Sequence, residues 1–228
     1  MSGERELSSK EWWSVLKPKR GKPRLFKSDL IEHFSKIPPY LPHIVYIPLV
    51  SYMIYLTYIR SIGFIYGVSL FVSGVFSWTL FEYLLHRFVF HIEPKGNKLL
   101  QRFVYIMHGN HHEYPWDYMR LVMPLSVSIP LAVLFWYLFE FMFGYYFPPF
   151  YGGFVLGYLL YDTSHFLVHY EKFNPKLRFF NYIRKHHVRH HFLTYDANFG
   201  VSSPLWDLVF GTLVGNKERQ IREVVDEN

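Results

Sequence analysis

Eleven of the 13 histidines in this 228-residue chain gather in four short clusters. They are His86 and His91 in HRFVFH, His108, His111 and His112 in HGNHH, His165 and His169 in HFLVH, and His187, His190 and His191 in HHVRHH, where His186 comes first. Imidazole is the commonest metal-binding side chain near neutral pH. Each cluster borders a long apolar stretch, where so many ionisable rings are costly unless something coordinates them. Ten such ligands suit two ions with four or five nitrogens each. Sets made mostly of imidazole suit zinc, iron, copper or nickel and disfavour magnesium and calcium, which want oxygen.

Spacing refines this. His108, His111 and His112 stand at i, i+3 and i+4, so one face of a helical turn carries all three, and His187, His190 and His191 repeat the pattern. His165 and His169 are one turn apart. His86 and His91 are five apart, about 140° out of register on a straight helix. They therefore reach two different ions, or the helix ends between them. His186 points away from the face shared by its neighbours, and His33 and His43 belong to no cluster. Metal-bound histidines usually give their other N–H to a carboxylate or carbonyl. Glu82, one turn before His86, and Asp162, one turn before His165 with Tyr161 beside it, are placed for that role.

The elements that must position these rings are apolar helices. Four apolar runs, at roughly 41–59, 62–84, 121–143 and 150–168, each come near the ~20 residues that cross a bilayer. The joints at 60–63 and 144–149 are short, which describes two helical hairpins in an all-α fold. Pro48, Pro124 and Pro130 kink or cap these helices without abolishing them. Aromatic residues make up 21% of the chain, which suits belts of interfacial rings. Lysine plus arginine number nine in residues 1–36, five in 85–120 and nine in 171–228, and the one remaining is Arg60. By the positive-inside rule both termini and all four clusters face the cytoplasm. The absence of cysteine excludes disulfides, thiolate metal sites and a cysteine nucleophile.

Residues 1–40 read as an interfacial segment. Ser8 and Glu11 form a capping box for a helix carrying Trp12, Trp13 and Leu16. A basic run from Lys17 to Lys27 follows, and Ser28 caps a second amphipathic helix with Leu30, Ile31 and Phe34, halted by Pro38 and Pro39. No early apolar region marks a cleaved signal peptide. Residues 41–214 form the main domain and 215–228 a polar tail.

At these motifs the chain resembles the fatty acid hydroxylase and sterol desaturase superfamily, and within it the fatty acid 2-hydroxylases. The likeness runs through FEYLLHRFVFHI (81–92), HGNHHEYPWDYMRLVMP (108–124), GYLLYDTSHFLVHY (157–170) and HHVRHHF with NFGVSSPLWDLVFGTL (186–213). It implies four membrane helices beneath a cytosolic helical cap that holds a dimetal centre. It also implies, position by position, the ligands His86, His91, His108, His111, His112, His165, His169, His187, His190 and His191, with Tyr161 and Asp162 as catalytic candidates. The implied reaction inserts oxygen from O₂ at C2 of a fatty acyl chain, usually of a ceramide or related sphingolipid. Iron is expected for turnover, and zinc can fill such sites. No haem loop of the fused cytochrome b5 kind is recognisable, so the resemblance implies a separate electron donor such as cytochrome b5 or ferredoxin, and no nucleic acid. Trp206 and Asp207 either shape the mouth of an acyl channel or pack a terminal helix of the cap. The expected setting is the endoplasmic reticulum membrane in a eukaryote or the cell membrane in a prokaryote. Sterol desaturases, methyl oxidases and carotenoid hydroxylases share the histidine boxes, but the YDxxH box and the FGVSSPLWD segment argue against them. A membrane metal transporter would want ionisable groups in mid-span, where this chain has almost none.

Overall fold

The computed structural model describes Trp13 and residues 16–173 and 176–215. The capping box at Ser8 and Glu11, Trp12 and the tail beyond residue 215 lie outside them. Among the described residues every regular element is helical. In chain order they are α1 (Asp29–Phe34), α2 (Leu41–Ile59), α3 (Phe64–Leu85), α4 (Lys98–Val104), α5 (Leu125–Phe143), α6 (Phe147–His169), α7 (Arg178–Phe192) and α8 (Leu205–Val209). Two of them run on through a wider π turn, α3 into His86–Phe90 and α4 into Tyr105–Gly109 and the short helix Asn110–Glu113.

The chain divides into two compact units. One comprises Phe26–Glu82 and Tyr118–Leu167; the other comprises the described residues within 13–25, 83–117 and 168–215.

The first is the apolar unit. Three stretches are long and apolar enough to cross a bilayer: Leu41–Ile59, Phe64–Phe90 and Tyr118–His169. The third is two helices, α5 and α6, joined by a 3₁₀ turn at Gly144–Tyr146. Gly144 turns the chain at φ +51, where a side chain would be strained. These stretches make the chain an integral membrane protein. Their outward rings and aliphatics, among them Tyr58, Phe64, Ile65 and Phe141, are 80% or more exposed, as a surface solvated by lipid should be. Lipid tails are as apolar as the side chains, so close packing must hold such helices together. Small residues allow it here. A Cβ on Gly153 would collide with the Phe71 carbonyl, one on Gly74 with the Phe150 carbonyl, and one on Gly157 with Trp78. Around these contacts Met53, Trp78, Phe139, Phe150, Phe154 and Tyr158 fill the core. Ser28 caps α1 as expected, accepting from the Ile31 N–H. Arg120 and Lys36 both pair with the buried Glu32 just beyond it.

The second is the histidine unit, built from the end of α3, α4 with its extension, the end of α6, α7 and α8. Its interior is polar. His86, His91, His108, His111, His112, His169, His187, His190 and His191 are all 9% exposed or less.

Candidate metal centre

His86, His91, His108, His112 and His190 form one set, whose nitrogen atoms all lie within 4.8 Å of one another. Nε2 of His108 stands 2.9 Å from Nε2 of His86 and 3.0 Å from that of His112, and Nε2 of His190 stands 3.0 Å from that of His91. Two nitrogens about 2.05 Å from one ion are about 2.9 Å apart at a 90° angle and about 3.3 Å apart at the tetrahedral angle. The observed spacing therefore fits a crowded sphere of imidazoles around a shared ion better than a tetrahedron. Nδ1 of His86 meets the Phe199 carbonyl at 2.5 Å and Nδ1 of His190 meets the Ala197 carbonyl at 2.8 Å. A neutral ring has one proton, and a carbonyl can only accept. Both Nε2 lone pairs are thereby left for the centre of the set.

A second set holds His111, His169, His187 and His191, again within 4.8 Å. Nε2 of His187 is 2.9 Å from that of His169 and 3.0 Å from that of His191. The rings of His112 and His191 stack at 4.1 Å, so the two sets are neighbours. Burial, and then the surrounding rings, push His91, His108, His112 and His191 well below the ordinary imidazole pKa. Neutral imidazole is the form that binds metal, and the donor set fits a pair of ions. His165 sits one turn before His169 on α6, buried, with Nδ1 donating to the Leu121 carbonyl at 2.8 Å and its ring parallel to that of Tyr161 at 5.9 Å.

Local structure explains the sorting. His86 and His91 belong to one set because the helix is not straight between them. The His91 N–H reaches back to the His86 carbonyl, an i→i+5 bond, and this wider turn brings residues five apart towards the same side. The expectation of two ions or a broken helix here is corrected accordingly. A second π turn, Tyr105–Gly109, runs into HGNHH, and the Asn110 side chain donates to the carbonyls of Tyr105 and Ile106, at 3.0 and 2.8 Å. The triplets do not each serve one ion. His108 and His112 join the first set while His111 joins the second; His190 joins the first while His187 and His191 join the second. One helical face is wide enough to address both sets because the sets adjoin.

His186 lies outside both sets, as its register predicts, and pairs through Nε2 with Asp207 at 3.0 Å. His43 also stands apart, 2.8 Å from the Thr163 hydroxyl. At His86 and His165 the Nδ1 partner is a backbone carbonyl and not the neighbouring Glu82 or Asp162. Asp162 accepts from the Met123 N–H at 3.2 Å and the Tyr158 hydroxyl at 3.1 Å. A carboxylate on a ligand's own helix would have to curl back along it, whereas an irregular segment can present a carbonyl head-on. Trp13, read from sequence as interfacial, is 5% exposed, stacks on His91 at 4.3 Å and meets the His112 ring in a T-shaped contact with centroids 5.1 Å apart. Asp207 is wholly buried and accepts from the N–H groups of Phe199 and Gly200, both at 2.8 Å. The signal for it was the SPLWD segment itself, an acid inside an apolar run.

Residues 71–212 match the family model described as fatty acid hydroxylase. The chain is 37% identical over 211 residues to the fatty acid 2-hydroxylase of Rattus norvegicus, covering 84% of this chain and 56% of that protein. It is 36% identical to a dihydroceramide fatty acyl 2-hydroxylase of Arabidopsis thaliana, covering 86% and 81%. It is 34% identical to a ceramide very long chain fatty acid hydroxylase of Saccharomyces cerevisiae, covering 86% and 50%. The chain thus spans about half the length of the rat and yeast relatives and most of the plant one. A solved structure of full-length scs7p, with only the hydroxylase domain visible, superposes with a TM-score of 0.80 at 31% identity, covering 93% of this chain and 81% of that one.

Proposed function

The chain belongs to the fatty acid hydroxylase family, and from that membership and its imidazole geometry we propose that it is an O₂-dependent fatty acid 2-hydroxylase. The carrying observation is the convergence of Nε2 atoms into two adjoining sets. The substrate proposed is a ceramide-like lipid, the class that the names of the plant and yeast relatives state. One oxygen atom of O₂ enters the C2–H bond and the other leaves as water, with two electrons supplied one at a time by a separate donor such as cytochrome b5 or ferredoxin and two protons taken from solvent.

His86, His91, His108, His112 and His190 would hold one ion; His111, His169, His187 and His191 would hold the other, with His165 as the fifth ligand one turn before His169. A redox-active pair of ions, iron in this reading, supplies the activation of O₂, which zinc can replace in binding but not in redox chemistry. The chain's own part is to orient the rings, keep water out and admit C2. Burial of the imidazoles serves the first two,. Tyr161 and Asp162, on the same helix as His165, are proposed to line the approach of the acyl chain. C2 adjoins the acyl carbonyl, so the polar end of the lipid must lie close to the ions. A cavity of about 540 Å³, lined by His91, Trp13, Arg87, Lys95, Tyr195 and Asp196 among others, is large enough to receive it,.

In this reading α2, α3, α5 and α6 are four membrane spans, the histidine unit is a cytosolic cap, and both termini are cytoplasmic. The membrane is that of the endoplasmic reticulum in a eukaryote and the cell membrane in a prokaryote. The test is mass spectrometry of lipids from cells expressing wild type or His111→Ala. One added oxygen at C2 of amide-linked acyl chains, seen with wild type only, is the expected result; its absence from every acyl lipid overturns the proposal. Reconstitution of stripped protein with iron or zinc alone should restore product with iron, and equal activity with zinc would remove iron from the scheme.

A further inference from the structure

Two ligands of the first set are oriented by backbone rather than by side chains. The Ala197 carbonyl accepts from Nδ1 of His190 and the Phe199 carbonyl from Nδ1 of His86. These carbonyls belong to a segment in neither helix nor strand, where Asn198 sits at φ +58. A carbonyl can fix a ring only if it is itself fixed.

One carboxylate fixes the Phe199 end of that segment, while the Asn198 N–H is held by the Thr212 carbonyl at 2.9 Å. Oδ1 of Asp207 accepts from the Phe199 N–H at 2.8 Å and the Thr212 hydroxyl at 2.7 Å. Oδ2 accepts from the Gly200 N–H at 2.8 Å and from Nε2 of His186 at 3.0 Å. Asp207 is 0% exposed and His186 1%, so water does not compete. A Cβ on Gly200 would strike the Ser203 carbonyl and crowd the carboxylate, so the close approach needs glycine. The Thr212 hydroxyl also meets the Tyr83 hydroxyl at 2.9 Å, on the turn of α3 that precedes His86.

The connectivity is tighter than a shared neighbourhood. The Gly200 N–H and the Phe199 C=O are the two ends of a single peptide group. Asp207 therefore binds one end of the amide whose other end binds the metal-ligand candidate His86. Linked hydrogen bonds polarise one another. A carboxylate at the N–H makes the carbonyl a stronger acceptor, which makes Nε2 of His86 a better donor to a cation. We propose that Asp207 is a positioning residue for the first metal site, acting through the Phe199–Gly200 amide on His86 and through the same clamped segment on His190, with His186 as the donor that holds Asp207 in place. This rests on reading the first set as a metal site, and not on the identity of the lipid.

The test uses the full chain in detergent or nanodiscs, loaded with Zn²⁺ or Co²⁺ against a competing chelator. Wild type should take up two ions. Asp207→Asn, with unchanged helix content by circular dichroism, should bind one of them about 10- to 100-fold more weakly and shift the visible absorption bands of bound Co²⁺. His186→Gln keeps an N–H donor and should stay near wild type, whereas His186→Ala and Thr212→Val should each weaken the same ion by a smaller factor. Two ions bound with wild-type affinity and an unchanged Co²⁺ spectrum in folded Asp207→Asn would overturn the proposal. If that variant does not fold, unchanged affinity in both His186→Ala and Thr212→Val overturns it equally. Two-ion binding that follows this series in a chain yielding no hydroxylated lipid would refute the proposed reaction and leave the role of Asp207 standing.

Discussion

In the apolar unit the buried side chains are rings and aliphatics such as Met53, Phe147 and Phe154, and backbones touch at Gly74 and Gly153. In the histidine unit the corresponding places are held by ten imidazoles with Asp207 and Asn198. The first interior coheres mainly by contact, with its few buried polar groups, such as Glu32 and Asp162, held by hydrogen bonds. In the second, every buried nitrogen must be matched by a carbonyl, another polar group or a cation. The same chain therefore carries two interiors with different sensitivities, and each can be disturbed separately.

The largest separation is expected on removing the ions or a ligand. His108→Ala takes away the ring whose Nε2 lies 2.9 and 3.0 Å from two others. Product formation should fall by more than the ~100-fold seen at most for outer partners of metal ligands, with metal content reduced in parallel. Chelator treatment of wild type should open residues 83–117 and 176–215 to protease before residues 26–82. Simultaneous cleavage of both units would show that they do not respond separately.

Acid should act on the same side. His91, His108, His112 and His191 have pKa values below those of the unfolded chain. Unfolded histidines, titrating near pH ~6.5, bind protons that the folded rings refuse. The stability these rings contribute is complete above that pH and declines as pH falls below it, and protons compete with the metal in the same direction. Metal release measured from pH 7 to pH 5 should rise steadily, while the packing of the apolar unit, followed through tryptophan emission of Trp78-only protein, stays constant.

The opposite disturbance is Gly153→Ala. The added methyl group would meet the Phe71 carbonyl, and overpacking of this kind costs about 1–3 kcal/mol. The melting temperature in detergent should drop, with two ions still bound per folded chain. Loss of metal at equal folded fraction would mean that the two interiors are coupled.

How far the sequence carried these conclusions depends on the kind of contact. Spans were legible because lipid imposes length and composition on every residue of a crossing helix. The candidate ligand rings were legible because four separate clusters offered the same chemistry. Their sorting was not, since an i→i+5 turn at His86 depends on where the carbonyls go and leaves no mark in residue spacing. The acceptors for the Nδ1 atoms were missed for a related reason. Glu82 and Asp162 are visible in sequence as acids, whereas the carbonyls of Leu121, Ala197 and Phe199 are common to any residue. Asp207 was visible, yet its four donors come from His186, Phe199, Gly200 and Thr212, which only the fold assembles.

The smallest effect is also the finest probe of the contrast, because each unit has one buried tryptophan among the described residues. Trp13 stacks on His91, and Trp78 lies edge-on to Phe154 at 5.0 Å. An aromatic pair of either kind contributes about 0.5–1.5 kcal/mol beyond area burial. In Trp13→Leu that loss should appear as metal binding weakened by up to about tenfold, because the ring it steadies is a candidate ligand. In Trp78→Leu it should appear as a lower melting temperature with metal affinity unchanged. If Trp13→Leu shifts only the melting temperature, stacking on His91 is packing of the same kind as in the apolar unit.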